Sequence, residues 1–197
     1  MLDDWLRRIS RGFLDPIAGW LCRLGLTANT VTAIGGLLNV IVGVLIALGH
    51  LSLGGWLLIV AAGFDAVDGT MARKLNRPTR FGAFFDSTVD RVSETAIFGG
   101  LLWHYASQGE PMNALLSFAA LAGSLLVSYT RARAEGLGIE CKVGWFTRVE
   151  RSIVIIAALI LGLVPYALWL LAVGTWFTTG QRVWHVYRVV RDEPLTQ

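Results

Sequence analysis

Phe64-Asp65-Ala66-Val67-Asp68-Gly69-Thr70-Met71-Ala72-Arg73, continuing through Gly82-Ala83-Phe84-Phe85-Asp86-Ser87-Thr88-Val89-Asp90, is the stretch on which the reading of the chain turns. Its four aspartates stand in surroundings that are otherwise mostly apolar. Asp65 and Asp68 are three apart and Asp86 and Asp90 four apart, so each pair projects from one face of its own helix. Like charges at those spacings repel, and four carboxylates gathered at low dielectric need cations between them. Oxygen-only donors point to a hard divalent ion, Mg2+ or Mn2+, and two facing pairs suit a two-metal site that clamps a phosphoryl group. Gly69, Ala72 and Gly82 lie one turn away, where small residues let a ligand reach the helix backbone. The bland alternative, a solvated acidic face, is weak beside flanks this apolar.

Outward from that stretch the chain is hydrophobic at membrane length. Of its 197 residues 54% are hydrophobic and 16% charged, which fits an integral membrane protein better than a soluble domain. Six apolar segments are expected, at roughly 29–49, 52–74, 82–106, 112–134, 147–164 and 166–188. Before them, residues 1–24 alternate Leu2, Trp5, Leu6, Ile9, Phe13, Ile17, Trp20 and Leu21 with Asp3, Asp4, Arg7, Arg8, Arg11 and Arg23. That pattern is too charged to span and reads as an amphipathic helix lying in the membrane interface. A cleaved leader fits less well, because the apolar run is interrupted and no small-residue cleavage site follows. The expected fold is therefore all-α: an interfacial helix over 1–24, a six-helix transmembrane domain over 25–190 and a tail over 191–197.

Charge placement orients this bundle. Arginine and lysine crowd the N-terminal segment, the connection after segment two, the one after segment four and the C-terminus; the other three connections carry neither. The positive-inside rule then puts both termini and the aspartates on the cytoplasmic side of the plasma membrane. Thr95 to Ala106 and Ser152 to Leu163, the uninterrupted apolar parts of segments three and five, fall short of the ~20 residues that spanning needs. Their missing turns contain Asp86, Asp90, Arg91 and Glu94, and Arg148, Glu150 and Arg151, and are expected to line a hydrated cavity. Gly35, Gly36, Gly43, Gly99 and Gly100 read as close helix-packing points. Cys22 and Cys141 have no metal-ligand spacing and read as ordinary small residues. No basic run is interleaved with aromatics, so nucleic acid is not an expected partner.

The aspartate stretch resembles the signature of the CDP-alcohol phosphotransferases: Asp65, Asp68, Gly69, Ala72, Arg73, then eight residues, Gly82, Asp86 and Asp90. All eight fixed positions are filled at their spacings. The resemblance implies transfer of a phosphate-linked lipid or alcohol from a CDP carrier to a hydroxyl, with release of CMP. It also implies that Asp65, Asp68, Asp86 and Asp90 hold two Mg2+ ions, with Mn2+ a possible substitute, and that Asp90 is also the general base. Gly69, Ala72, Arg73 and Gly82 would pack against the CDP moiety. Asn29 and Thr32 match a segment near the nucleotide, although a helix N-cap explains either equally well. Homodimerisation is implied by the resemblance as well.

A second resemblance concerns the acceptor. Ser128-Tyr129-Thr130-Arg131-Ala132-Arg133-Ala134-Glu135-Gly136, Phe146-Thr147-Arg148-Val149-Glu150-Arg151 and Gln181-Arg182 are similar to segments of the bacterial phosphatidylinositol-phosphate synthases. Arg131, Arg148, Arg151 and Arg182 would then bind the phosphate of inositol 1-phosphate, since the guanidinium fork matches phosphate oxygens. Arg131 replaces a more usual lysine and Thr147 a more usual glutamate. The implied reaction is transfer of a phosphatidyl group from CDP-diacylglycerol to inositol 1-phosphate. The rivals are a phosphatidylglycerol-phosphate synthase using glycerol 3-phosphate, and an archaetidyl-type ether-lipid equivalent, because tail grooves are merely apolar. A divalent-cation transporter is the alternative from another class, although it calls for acids on the far side, where Glu110 is the only one.

Overall fold

Apolar runs set the helix lengths, with Thr27 and Thr79 capping two helix starts and Gly49, Gly109 and Gly162 at positive φ just past three helix ends. The computed structural model describes residues 16–74 and 79–191, apart from the side chains of Asp68 and of residues 72–74. Helix α1 covers 16–23. It is followed by α2 (Ala28–Ala47), α3 (Leu51–Lys74), α4 (Arg80–Ser107), α5 (Pro111–Gly136), α6 (Arg148–Leu161) and α7 (Val164–Val190). Among the described residues there is no strand. Helices α2 to α7 fall on the six expected segments to within three residues at every end. By length and composition α2, α3 as far as Met71, and α5 suffice to cross a membrane. The N-terminal half of α4 is too charged to meet the same standard, and α7 is diluted by Trp, Tyr, Thr and Gly. The 14 residues of α6 rise only about 21 Å.

The helices divide into two compact units. The first holds the described parts of Met1–Val44 and Trp56–Ile97. Its apolar centre is Ala18 of α1, Val31 of α2, and Val67 and Met71 of α3, with Ile17, Leu21, Cys22 and Phe64 packed around them. Burying side chains of this size contributes about 1.5–3 kcal/mol each. Residues 1–15 of the expected interfacial helix lie outside the described residues. The part that is described turns Ile17, Ala18, Leu21 and Cys22 onto the protein and leaves Trp20 exposed.

Glycines bring α2 against both its neighbours in this unit. A Cβ at Gly35 would stand 3.2 Å from Phe64 Cβ of α3; one at Gly36 would stand 2.4 Å from Val89 Cγ1 of α4. At Gly43 it would stand 2.4 Å from the carbonyl oxygen of Ala96. These three are packing points, as expected. Gly99 is not: a Cβ there meets nothing within 4 Å, so the expectation fails at that position.

The second unit holds Leu45–Gly55 and the described part of Phe98–Gln197. Here α5 and α6 both pack on α7. Gly123 of α5 admits Thr175 of α7, whose Oγ1 would lie 2.0 Å from an added Cβ, and the Trp176 indole N–H donates to the Ala119 carbonyl at 3.1 Å. Gly55 lies against Leu159 and Ile160 of α6. Gly162, in the left-handed conformation at φ 71°, ends α6, and α7 begins two residues later.

Candidate active site

The aspartates sit on the two helices that flank α2 in the first unit. Asp65 is half-buried on α3, and the α2 residue beside it is a glycine: a Cβ at Gly35 would lie 3.5 Å from Asp65 Oδ1. The next residue, Gly36, receives Val89 of α4, which precedes Asp90. One pair of glycines on α2 thus sets the level of Asp65 on one side and of Asp90 on the other. Asp90 is buried, at 8% exposure, while Asp86 one turn earlier is half-buried. The Arg91 guanidinium lies 3.7 Å from Asp90 Oδ2 and 3.4 Å from Glu94 Oε2, an ion-pair cluster continuing along the same helix. Among the described residues no three His, Cys, Asp or Glu side chains form a closed metal cage. The side chains of Asp68, Ala72 and Arg73 lie outside the described residues. The donors present, carboxylates from two helices, fit a hard divalent cation by chemistry.

The start of α2 meets the start of α4 in the same unit. The cap of α2 is Thr27, whose Oγ1 accepts the Thr30 N–H at 3.2 Å. Neither Asn29 nor Thr32 is therefore that cap. Thr32 is buried and donates to the Ala28 carbonyl at 3.0 Å. Asn29 lies beside Gly82 of α4, where an added Cβ would come within 3.2 Å of Asn29 Oδ1 and 2.9 Å of Thr79 Oγ1. Thr79 in turn accepts the Gly82 N–H at 2.9 Å and caps α4. Gly82 thus lets two polar side chains approach the α4 backbone more closely than a Cβ would allow. Thr79 was not among the expected site residues, although a threonine one residue before the first helical position is the usual signal for a cap. Gly69 is half-buried on α3.

The four arginines belong to the second unit and divide by environment. Arg182 of α7 is 3% exposed; its Nε donates to the Val143 carbonyl at 3.0 Å and its Nη1 to that of Val127. Arg151 of α6 is 2% exposed and donates Nη1 to the Phe146 carbonyl at 3.1 Å. Arg131 is exposed and its Nε donates to Glu135 Oε1 at 2.8 Å, one helical turn on. Glu150 accepts the Thr147 hydroxyl. Arg148 is half-buried at the first position of α6. The charges of Arg131, Arg151 and Glu135 all act on Arg182, so three guanidinium groups and one carboxylate share a neighbourhood whose surplus positive charge suits an anion.

Comparison with known proteins places the chain in a family. Residues 25–180 match the CDP-alcohol phosphatidyltransferase family. The chain is 40% identical to the phosphatidylinositol phosphate synthase of Streptomyces avermitilis, over 95% of this chain and 83% of that one. It is 39% identical to the archaetidylinositol phosphate synthase of Methanothermobacter thermautotrophicus, over 95% of each. Crystal structures of the Mycobacterium tuberculosis phosphatidylinositol phosphate synthase superpose with 34% identity over 88% of this chain. The form with CDP-DAG bound gives a TM-score of 0.83 over 93% of that chain, and the complex with manganese and citrate gives 0.84 over 88%. Eight fixed positions at their spacings, six helices in order and relatives matched almost end to end agree: this membrane protein belongs to the CDP-alcohol phosphatidyltransferase family.

Proposed function

We propose that the enzyme transfers the phosphatidyl group of CDP-diacylglycerol to a hydroxyl of inositol 1-phosphate, giving phosphatidylinositol phosphate and CMP. One observation carries this reading: the aspartate signature is complete in a chain whose bacterial and archaeal relatives are alike named for an inositol-phosphate product, whichever lipid they bear. The acceptor oxygen attacks the lipid-linked phosphorus, the bond from that phosphorus to the bridging oxygen breaks, and CMP departs with that oxygen. Asp90 takes the hydroxyl proton; its burial keeps competing water away from the base. Asp65, Asp68, Asp86 and Asp90 would hold two Mg2+ ions, for which Mn2+ could stand in. When bound, the ions supply positive charge that offsets the pyrophosphate and the departing CMP. Arg73 binds the donor phosphates, and Asn29, Thr32, Gly69, Ala72 and Gly82 receive the nucleotide. Arg131, Arg148, Arg151 and Arg182 attract the acceptor phosphate. Arg182 gives two of the five N–H groups of a guanidinium to carbonyls, which fixes its orientation.

The six helices α2 to α7 span the plasma membrane as the catalytic domain, residues 25–190. The interfacial helix over 1–24, the tail over 191–197 and the active site are cytoplasmic, and the enzyme is a homodimer. An ether-lipid donor is the second reading, favoured by the 39% identity to an archaetidylinositol phosphate synthase. The deciding experiment measures CMP release by purified protein in detergent with Mg2+ and CDP-diacylglycerol or CDP-archaeol, offering inositol 1-phosphate, glycerol 3-phosphate or free inositol. Turnover with inositol 1-phosphate alone is expected, lost on chelation and restored by Mg2+ or Mn2+. Turnover with glycerol 3-phosphate alone would overturn the acceptor while leaving the chemistry in place.

A further inference from the structure

We infer that Thr178 is a positioning residue for acceptor binding: its hydroxyl clamps the α5–α6 loop so that Arg148 is presented at a fixed place relative to Arg182. The inference rests on the acceptor-phosphate reading of these arginines. Residues 137–147 form that loop, and its last turn is held on both sides of one residue. The Phe146 N–H donates to Thr178 Oγ1 at 3.1 Å, and the Phe146 carbonyl accepts from Arg151 at 3.1 Å. The ring of Phe146 lies over Gly174 of α7, where a Cβ would come within 2.6 Å of it. Two residues earlier, Gly144 adopts φ 122°, and a Cβ there would meet Thr178 Cγ2 at 2.5 Å. Thr178 is fully buried, and Arg182 follows it one turn later on α7, donating to Val143 of the same loop.

This arrangement has a mechanical purpose. Arg131 and Arg151 bear the same charge as Arg182 and act on it, offset in part by the Glu135 carboxylate, so other contacts have to hold these groups in place. Arg148 lies two residues beyond the clamped peptide, at the start of α6, where its direction follows from where the loop ends. Guanidinium groups on different helices bind one phosphate strongly only when they converge at hydrogen-bond distance, so a loop that drifts weakens acceptor binding. The donor site uses none of these contacts. Thr178 should accordingly act on one substrate and spare the other.

The test compares wild type, Thr178→Val and Thr178→Ser as full-length protein in detergent, measuring KM for inositol 1-phosphate, KM for CDP-diacylglycerol and kcat by CMP release. Valine keeps the shape and removes the acceptor of the Phe146 N–H; KM for inositol 1-phosphate should rise about tenfold, the effect of one buried N–H left unpaired. KM for CDP-diacylglycerol should stay within about twofold, and serine should restore the acceptor KM, a rescue that simple loss of packing would not give. Equal rises in both KM values, an unchanged acceptor KM, or failure of serine to rescue would each overturn the inference. Should Thr178→Val not fold, Gly144→Ala, which keeps the hydroxyl but forces the loop away from it, must give the same one-sided rise. Wild type inactive with inositol 1-phosphate but active with glycerol 3-phosphate would refute the proposed acceptor; the clamp would then be read from KM for glycerol 3-phosphate.

Discussion

Gly43→Ala should damage catalysis from a position that touches no substrate. The added methyl would lie 2.4 Å from the Ala96 carbonyl oxygen, 2.7 Å from its carbon and 3.1 Å from its Cβ. Ordinary contact between such a carbon and an oxygen is about 3.3–3.6 Å, so α2 and α4 must part by roughly 0.9 Å. The obstacle is backbone, which cannot swing aside as the Val89 side chain could at Gly36. Overpacking of this kind costs about 1–3 kcal/mol of stability. The separation also moves α4, which carries Asp86 and Asp90, away from the helix that sets their level; misplacement of about 1 Å can lower the rate by about 10²-fold. The assay is kcat for CMP release together with the thermal midpoint in detergent, with Gly99→Ala as reference. Gly99 has open space around it, so alanine there should be neutral or stabilise by up to about 1 kcal/mol. If Gly43→Ala keeps the midpoint and rate of the Gly99→Ala protein, the close approach of α2 and α4 does not position the carboxylates.

Other outcomes follow from the same geometry. Asp90→Asn should lower kcat by about 10²–10⁴-fold through loss of the base, checked by CMP release at saturating substrates. Arg182→Ala removes the donor from two carbonyls and should lower stability by about 2–3 kcal/mol, read as a fall in the thermal midpoint. Arg131→Ala should change stability by less than about 1 kcal/mol, because its partner Glu135 is exposed and screened by water. The Lys142 ammonium holds the exposed Glu140 carboxyl below its ordinary value by a hydrogen bond and by its charge. A depressed carboxyl stabilises the fold above its unfolded value and loses that contribution as the pH falls through the folded one. Lys142→Ala should therefore leave the thermal midpoint near neutrality almost unchanged, and NMR titration should show Glu140 protonating at higher pH than in wild type.

The readable part of this protein is the part carried by local spacing. Asp65 with Asp68, and Asp86 with Asp90, announce themselves because both members of each pair lie on one helix at three or four residues. Helix ends were legible from the lengths of the apolar runs, and the Thr27 cap sits two residues ahead of the Asn29 that could have been mistaken for it. What the sequence withheld is what depends on contacts between distant residues. Phe146 and Thr178 are 32 positions apart, and no periodicity connects a loop amide to a helix hydroxyl. The arginines look alike as letters; only packing reveals that Arg151 and Arg182 are buried against carbonyls while Arg131 stands in solvent with Glu135. Gly99 looked like Gly43 for the same reason, since a glycine signals a close approach only if another helix passes there. Family membership also removes the support for cation transport, which the residues alone had left open.

Every second connection in the chain is nearly nothing. Residues 48–50 join α2 to α3, 108–110 join α4 to α5, and 162–163 join α6 to α7, with Gly49, Gly109 and Gly162 each at positive φ. Glu110 is the only formally charged side chain among those eight residues. On the six-span topology proposed above, the nascent chain enters the bilayer as three helical hairpins. Each hairpin needs to move only a turn of two or three residues to the far side. Biogenesis then involves almost no translocation of polar chain: insertion becomes a sequence of lateral partitioning steps, and charged segments such as 137–147 stay on the side where they were made.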